Sequence, residues 1–175
     1  GENNGDYSGV AVSISSDGTT VAIGAYYNAG VNGSTSGHTR IYKYNMNTSS
    51  WEQVGGDIDG EAENDFSGNA VSLSADGTTV AIGAYYNDGN GNNAGQVRVY
   101  KYDATKTAAQ WNDQSQSNYG PVGWNRVGSD IDGKQANEYN GQSVSLSADG
   151  TIVAFGAFGN NNMTGATRVY YYVSQ

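Results

Sequence analysis

Residues 71–87, VSLSADGTTVAIGAYYN, form a segment that this chain of 175 residues contains three times. The copy at residues 12–28 (VSISSDGTTVAIGAYYN) is identical at fifteen of the seventeen positions, and the copy at residues 144–160 (VSLSADGTIVAFGAFGN) is identical at thirteen. A repeat is interpreted before any other feature, because it determines the architecture of the whole array. We place the three repeats at about residues 1–64, 65–137 and 138–175, within one repeat domain.

Each repeat predicts a series of short β-strands. The first and second strands flank a Ser-x-Asp-Gly-Thr turn, whose glycine can adopt the positive φ that tight hairpin turns need. Third strands are expected at residues 39–44, 96–102 and 167–173, and fourth strands that begin at a tryptophan are expected at residues 51–58 and 124–131. Short strands between turn residues are typical of an all-β protein.

The two faces of the predicted strands differ in side-chain size. Val12 and Ile14 point to one side of the first strand, and Ala11 and Ser13 point to the other. A lone four-stranded sheet buries neither face, so the large face of one repeat is expected to pack on the small face of the next. Because twisted sheets pack as wedges, we predict a β-propeller-like array of three four-stranded antiparallel blades, the last lacking its outer strand.

The segment VSLSADGTTVAIGA and the following GQVRVYKYD carry a family resemblance. They resemble the FG-GAP-type repeats of integrin-like propellers, and the Ser-x-Asp-Gly hairpin is similar to WD-repeat blades. The pattern W-x-Q-V-G-x-D-I-D-G is similar to tandem repeats of integrin-alpha-like secreted microbial proteins. The resemblance implies a β-propeller module in the extracellular space or at the cell surface. Integrin-type repeats often carry a calcium loop between their first two strands, but here that connection is as short as Ala75-Asp76-Gly77, so calcium binding is not inherited from the family.

The composition excludes several classes of function. The net charge is −9 with only 8 Lys and Arg residues, which argues against nucleic acid as a partner. No apolar segment is long enough to span a bilayer, so no membrane insertion is expected. With one histidine and no cysteine, no nucleophile–base–acid set can be assembled. We therefore expect a chain that is not an enzyme and has no cofactor.

The carboxylates that end the fourth strands are candidate ligands for an ion. They are Asp57, Asp59, Asp130 and Asp132. Alternating carboxylates of a strand share one face, and two of them with a carbonyl oxygen could hold Ca²⁺. Repetition explains the same residues without an ion, and Lys134 replaces Glu61 in the second copy. The one histidine, His38, has no Cys, Asp or Glu adjacent to it in sequence and is expected at the surface of its strand.

Aromatic residues of the loops are candidate contacts for a glycan or a protein partner. They are Tyr26, Tyr27, Tyr85 and Tyr86 after the second strands, and Trp111 and Tyr119 in an insertion of the second repeat at residues 103–124. Insertions in repeat arrays lie in loops, often on a binding face. Aromatic rings beside Asn and Asp can stack on sugar rings, whereas the alternative is plain packing of a loop against a strand.

Three Asn-x-Ser/Thr sequons mark candidate N-glycosylation sites at Asn32, Asn47 and Asn162. Asn32 and Asn162 lie in the same loop of different repeats, where a glycosyltransferase could reach them.

The third repeat ends in a strand that has no predicted neighbour on one side. This edge contains Arg168, Tyr170 and Tyr172, and an open edge invites pairing with another chain. Residues 1–6 align with residues 60–65, which indicates a slice of a longer precursor or a processed repeat block. The partner would be a second copy of the chain, in a filament or a ring, or flanking repeats of the same polypeptide.

Three hypotheses for function follow. The first is a structural or adhesive module that self-assembles through its open blade edges. The second is a glycan-binding propeller that uses its aromatic rim loops, and the third is a calcium-dependent adhesion domain.

Overall fold

The computed structural model describes residues 1–172, except for the side chain of Asn161. The first sheet contains β1 (Ala11–Ile14), β2 (Thr20–Ala25), β3 (His38–Asn45), β4 (Ser50–Gln53) and β5 (Ile58–Asp59). The second contains β6 (Ala70–Leu73), β7 (Thr79–Ala84), β8 (Gln96–Tyr102), β9 (Trp124–Arg126) and β10 (Ile131–Asp132). The third contains β11 (Asn140–Leu146), β12 (Ile152–Ala157) and β13 (Ala166–Tyr171), with the short helix α1 (Asn160–Met163) before β13.

Each sheet is an antiparallel meander, and we call the three sheets blades 1, 2 and 3. Strand order in the blades is β1-β2-β3-β4, β6-β7-β8-β9 and β11-β12-β13. Within residues 1–172 the third blade therefore has no outer strand. The predicted all-β, propeller-like array of three blades is confirmed. Val173, the predicted end of the last strand, lies outside the described residues.

The repeated turn closes each hairpin through the side chain of its aspartate. In blade 1, Asp17 accepts hydrogen bonds from the Ser15 hydroxyl (2.6 Å) and from the backbone N–H of Thr19 (2.9 Å). These bonds stabilise the ionised carboxylate and lower the pKa of Asp17 to about 2. Gly18 adopts a φ of 71°, which favours glycine. The turn therefore needs Asp17 for its hydrogen bonds and Gly18 for its backbone conformation.

The predicted fourth strand is interrupted. In blade 1, β4 pairs with the end of β3 (Tyr44 opposite Trp51), and β5 pairs with its beginning (Thr39 opposite Ile58). Between them Gly55 adopts a φ of 72°, and the next residue, Gly56, donates its backbone N–H to Val122 of blade 2 at 2.8 Å. The prediction of one continuous strand is wrong, because a glycine with a positive φ turns the chain out of the ladder of its own sheet at this point, as Gly128 (φ 72°) does in blade 2. β9 and β10 are separated in the same way in blade 2.

Two apolar clusters form the core, one at each blade junction. The cluster between blades 1 and 2 contains Ala22, Ile41, Ile58, Val71, Leu73, Val80, Ile82, Tyr100 and Trp124. The cluster between blades 2 and 3 contains Ala81, Val97, Val99, Ile131, Val153 and Phe155, with Val127, Val144, Leu146 and Tyr172 at its border. Large side chains of one blade thus pack on the blade before it, whose covered face has the predicted small residue in the second strand (Ala22 or Ala81) but a large one in the third (Ile41 or Val99).

Polar contacts recur at the same repeat positions of both junctions. The backbone N–H of Leu73 donates to the Ser13 hydroxyl, and that of Leu146 donates to the Ser72 hydroxyl, each at 2.9 Å. A backbone hydrogen bond of 2.8 Å joins Ser16 N to Ala75 O, and its counterpart joins Ala75 N to Ala148 O. One geometric rule therefore relates each blade to the next.

No helix among residues 1–172 is long and apolar enough to cross a membrane.

Candidate functional site

The large-residue face of blade 1 is exposed. Val12 and Ile14 have exposed fractions of 64% and 61%, whereas the same positions of blade 2, Val71 and Leu73, have 9% and 8%. Both pairs are large aliphatic residues, so their different exposure is due to packing: blade 1 covers Val71 and Leu73 of blade 2. In the described part of the chain nothing covers their counterparts on blade 1.

The opposite face of the array, on blade 3, is exposed as well. Val169 of β13 is 54% exposed, whereas the residues at its position in blades 1 and 2, Ile41 and Val99, are buried under the following blade. A carbonyl oxygen of the next blade lies against Gly24 and against Gly83, so close that a Cβ on either glycine would be about 2 Å from it. No such oxygen lies against Gly156, the residue at the same position of blade 3. We call the blade 1 surface around Val12 and Ile14 the leading face, and the blade 3 surface around Val169 and Gly156 the trailing face.

The three predicted edge residues of β13 are placed differently from one another. Tyr170 is exposed and stacks on Phe155, with 5.5 Å between ring centroids. Arg168 instead turns inward and binds the carboxylate of the buried Glu138 at 2.9–3.0 Å. Tyr172 lies in the cluster between blades 2 and 3, so burial raises its pKa. Of the three, the open edge of β13 presents Tyr170.

Aromatic side chains form a continuous ridge across the three blades. Its members are Tyr7, Tyr26, Tyr27, Phe66, Tyr85, Tyr86, Tyr139 and Phe158. Phe66 of blade 2 stacks on Tyr27 of blade 1 (centroids 5.2 Å apart, planes 13° apart) and contacts Tyr86 edge-on at 5.0 Å. Tyr139 links in turn to Tyr86 and stacks on Phe158. The ridge therefore ties each blade to the next.

The ridge gives the four rim tyrosines a structural role in addition to the predicted contact with a glycan. Tyr26 contacts Tyr27 at 4.6 Å, Tyr85 contacts Tyr86 at 4.5 Å, and burial raises the pKa of Tyr85 to about 12. Sequence reasoning missed the ring that joins them, Phe66, although an aromatic residue follows the Asp or Glu before every first strand. The positive φ of Phe66 (56°) is rare for a bulky residue, and the ridge packing holds it there.

A cleft of about 450 Å³ lies at the junction of blades 1 and 2. It is lined by Val31, Asn32, Asp59, Gly60, Glu61, Arg98, Trp111, Gln114 and Tyr119. It brings together four residues that the sequence marked for separate reasons: a sequon, an acidic strand end and the two aromatic residues of the insertion. The sequence did not predict a role for Arg98 in a site, because each third strand has an arginine at this position (Arg40, Arg98 and Arg168).

The insertion of the second repeat forms one wall of the cleft and is held in place by buried contacts. The Trp111 ring meets the buried Tyr119 ring edge-on (5.1 Å, 86°), and the Arg126 guanidinium lies 4.6 Å from the Tyr119 ring centroid. Lys106 donates to the carbonyl oxygens of Gly120 (2.9 Å) and Trp124 (2.8 Å). Trp111 itself stays about half exposed on this ordered support.

Two carboxylates face the cleft from the end of β5. Asp59 accepts no side-chain hydrogen bond from any of residues 1–172, and burial raises its pKa, with the charge of Asp57 acting in the same direction. Glu61 accepts one hydrogen bond from Gln96 (2.9 Å), while its Oε1 is buried without a hydrogen-bond donor in the described structure. The Arg98 guanidinium, buried and bound to the Asp59 carbonyl oxygen (2.8 Å), lies 3.8 Å from Glu61.

Two of the four predicted calcium carboxylates are paired with an arginine. Asp57 accepts two hydrogen bonds from Arg40 (2.9 and 2.7 Å), and Asp130 accepts two from Arg126 (2.7 and 2.8 Å). Asp132 accepts one from Gln96 at 3.2 Å. An ion shared by Asp57 and Asp59, or by Asp130 and Asp132, would have to compete with a guanidinium, and calcium binding there stays a prediction.

His38 is buried, contrary to the sequence expectation of a surface position. Its pKa is lowered by burial, and its Nδ1 lies 3.9 Å from Asp57. Glu2, His38 and Asp57 are the one grouping of potential metal ligands found among the described residues, but Arg40 forms ion pairs with both carboxylates. The sequence alone did not predict that His38 and Asp57 are close, because they approach each other only through the pairing of β3 with β5.

The three sequon asparagines are exposed, but their surroundings differ. Asn32 donates its amide to the Gly60 carbonyl oxygen at 2.6 Å, beside the cleft. Asn47 lies in the turn between β3 and β4, and Asn162 lies in α1 with a φ of 54°. Occupancy of these sequons stays a prediction.

Comparison with known proteins supports the sequence resemblance. The family model for the FG-GAP repeat matches residues 58–100, from β5 to β8. The resemblance to FG-GAP repeats is confirmed over this segment, which contains Asp59, Glu61 and Arg98 of the cleft. The sequence matches none of the curated proteins.

A solved structure similar to this chain is that of the periplasmic gluconolactonase PpgL of Pseudomonas aeruginosa. The two share 16% sequence identity with a TM-score of 0.49, and the match covers 93% of this chain and 39% of that protein. The chain thus spans about two fifths of the length of that neighbour.

This finding contradicts the expectation that the chain is not an enzyme, since the similar structure is that of a gluconolactonase, which is an enzyme. The repeats are also not alike everywhere, because the junction of blades 1 and 2 differs from the next junction. There the insertion adds an aromatic wall, and Glu61 stands where the next repeat has Lys134. At 16% identity the neighbour assigns no activity or substrate to this chain.

Proposed function

We propose that this FG-GAP repeat module is an extracellular structural or adhesive unit that assembles head to tail, the trailing face of one copy covering the leading face of a second copy. The single observation that carries the proposal is the geometric rule that relates blade 1 to blade 2 and blade 2 to blade 3. Applied once more, the same rule seats blade 1 of a second copy on blade 3.

The polar groups that the rule requires are present on both open faces. Ser13 and Ser72 each accept a hydrogen bond from the following blade, and Ser145 has the same position on blade 3. The matching donor on the second copy is the backbone N–H of Ile14. Continuing the backbone series Ser16–Ala75–Ala148 gives a bond from Ala148 N to the Ser16 carbonyl oxygen of the second copy.

The apolar groups match as well. Val12 and Ile14 of a second copy would take the places that Val71 and Leu73 hold on blade 1, covering Val169 in turn. Complete burial of a Val or Ile side chain contributes about 1.5–3 kcal/mol. The aromatic ridge would continue from Phe158 to Tyr7 of the second copy, and Gly156 leaves room for its chain near Gly9.

An extracellular location fits this proposal. The low count of basic residues, the absence of cysteine from the sequence and the sequons in exposed loops are all compatible with it. Contacts between blade faces depend little on attraction between opposite charges, so they tolerate the salt of such a medium.

The test of assembly uses a substitution on the leading face. We expect the wild-type chain to show masses that are multiples of 18.3 kDa in light scattering and sedimentation over a dilution series. Ile14→Lys should shift the chain to monomer, and at a concentration at which the wild type is monomeric too its melting temperature should equal that of the wild type, because Ile14 is exposed in the single copy. Met46→Lys, a similar change in an exposed turn away from both faces, is the matched control and should assemble as the wild type does.

Two results would overturn head-to-tail assembly. One is a wild-type chain that stays monomeric at every concentration, and the other is an Ile14→Lys variant that assembles like the wild type. Electron microscopy separates a filament from a closed ring, both of which follow from the same contact.

A further inference from the structure

We propose that the cleft between blades 1 and 2 binds a saccharide, with Trp111 against a sugar ring and with Asp59 and Glu61 accepting hydrogen bonds from its hydroxyl groups. This site is separate from the leading and trailing faces, so it does not depend on assembly. The volume of about 450 Å³ lies within the range of small-molecule sites.

The aromatic wall supplies the apolar contact. Trp111 is about half exposed, yet its ring packs edge-on against the buried Tyr119 ring, over which the Arg126 guanidinium lies in turn. A ring that is already ordered loses little side-chain entropy when a ligand binds. The C–H face of a pyranose has the flat apolar surface that fits such a ring.

The floor of the cleft supplies acceptors that lack donors. Among residues 1–172 the partly buried Asp59 carboxylate has no hydrogen-bond donor, and the buried Glu61 Oε1 has none either, with the Arg98 guanidinium 3.8 Å away. An unpaired buried acceptor is costly, so a ligand that brings hydroxyl or ammonium donors is favoured over an apolar one. An anionic ligand is disfavoured, since two carboxylates face a single guanidinium, that of Arg98.

A comparison of the two blade junctions shows that the two carboxylates and Trp111 occur together only at the junction of blades 1 and 2, among the described residues. The amides of Asn32 and Asn90 make the same bond to a glycine carbonyl oxygen in blades 1 and 2, so the loop geometry is common to both. At the next junction, however, Lys134 replaces Glu61. Repetition accounts for the loop but does not account for the pairing of both carboxylates with Trp111.

The experiment is saturation-transfer NMR on the whole chain with three disaccharides: cellobiose, N,N′-diacetylchitobiose and the chitosan disaccharide. We expect transfer to at least one of them, and we expect Trp111→Ala to weaken its binding by about tenfold or more. Trp51→Ala is the matched control, because Trp51 is equally exposed (46% against 45%) but lies on β4, outside the cleft. Binding to the control should equal that to the wild type.

The comparison of the three sugars shows which hydrogen-bond donors of the ligand meet the carboxylates, its hydroxyl groups or its ammonium groups. A preference for the two neutral sugars means that hydroxyl groups meet the carboxylates, and Glu61→Gln then has a small effect. A preference for the chitosan disaccharide means that its ammonium groups do so, and Glu61→Gln then weakens binding strongly. Absence of transfer to all three sugars, or equal binding by wild type and Trp111→Ala, would overturn the proposal.

Discussion

Replacement of Gly83 by alanine is expected to destabilise the chain severely. Gly83 lies in β7 at the junction with blade 3, and a Cβ there would lie 2.0 Å from the carbonyl oxygen of Gly141 and 2.9 Å from its carbonyl carbon. Both are backbone atoms, so the clash is relieved only by moving one blade relative to the other. We expect a loss at or above the upper end of the usual cost of overpacking, about 3 kcal/mol. For a chain of this size that lowers the melting temperature by roughly 6–12 °C.

The third copy of the same glycine provides the control. A Cβ at Gly156 would meet only the Ser143 hydroxyl, at 2.8 Å, and that side chain can rotate away. Gly156→Ala should therefore melt close to the wild type when measured at a concentration that keeps the chain monomeric. Similar losses of melting temperature in the two variants would contradict the view that close approach of the next blade, and not the backbone of the strand, requires this glycine.

The repeat made most of the architecture predictable. The alternation of Val12, Ile14 and the small residues between them is a local property, and it was sufficient to assign both hairpin strands and the face that each buries. The third strand of blade 2 was predicted at its observed bounds, Gln96–Tyr102. Such features follow from the chain's own spacing, so a single sequence contains them.

The features that sequence reasoning missed all depend on contacts between segments that are far apart in the sequence. The fourth strand breaks at Gly55, which adopts a positive φ, and the next residue then bonds Val122 of the neighbouring blade. His38 is buried because β5 returns beside it. The cleft forms because an insertion after β8 reaches the end of β5, and no pattern along the chain encodes that approach.

The aromatic ridge is an intermediate case. Its members repeat visibly in the sequence, so the positions of Tyr7, Phe66 and Tyr139 before each first strand were a signal that could have been used. The sequence did not predict the direction in which each of these side chains points. All three residues have a positive φ, and only the structure shows where each ring then lies: Phe66 and Tyr139 contact tyrosines of the preceding blade, whereas Tyr7 contacts the tyrosine pair of its own blade.

Trp124→Ala is expected to have the other large effect, and its repeat counterpart shows why. Trp124 begins β9, is fully buried in the cluster between blades 1 and 2, and donates its indole N–H to the Val54 carbonyl oxygen of blade 1 at 2.9 Å. Truncation opens a cavity and leaves that oxygen without its donor, so we expect a loss of about 3–5 kcal/mol. Trp51 has the equivalent position in β4 of blade 1 but is half exposed, with Tyr44 as its aromatic contact at 5.4 Å, so Trp51→Ala should cost less than about 1 kcal/mol. Urea unfolding of both variants measures the difference, and equal losses would show that the tryptophan stabilises its own strand instead of the junction between blades.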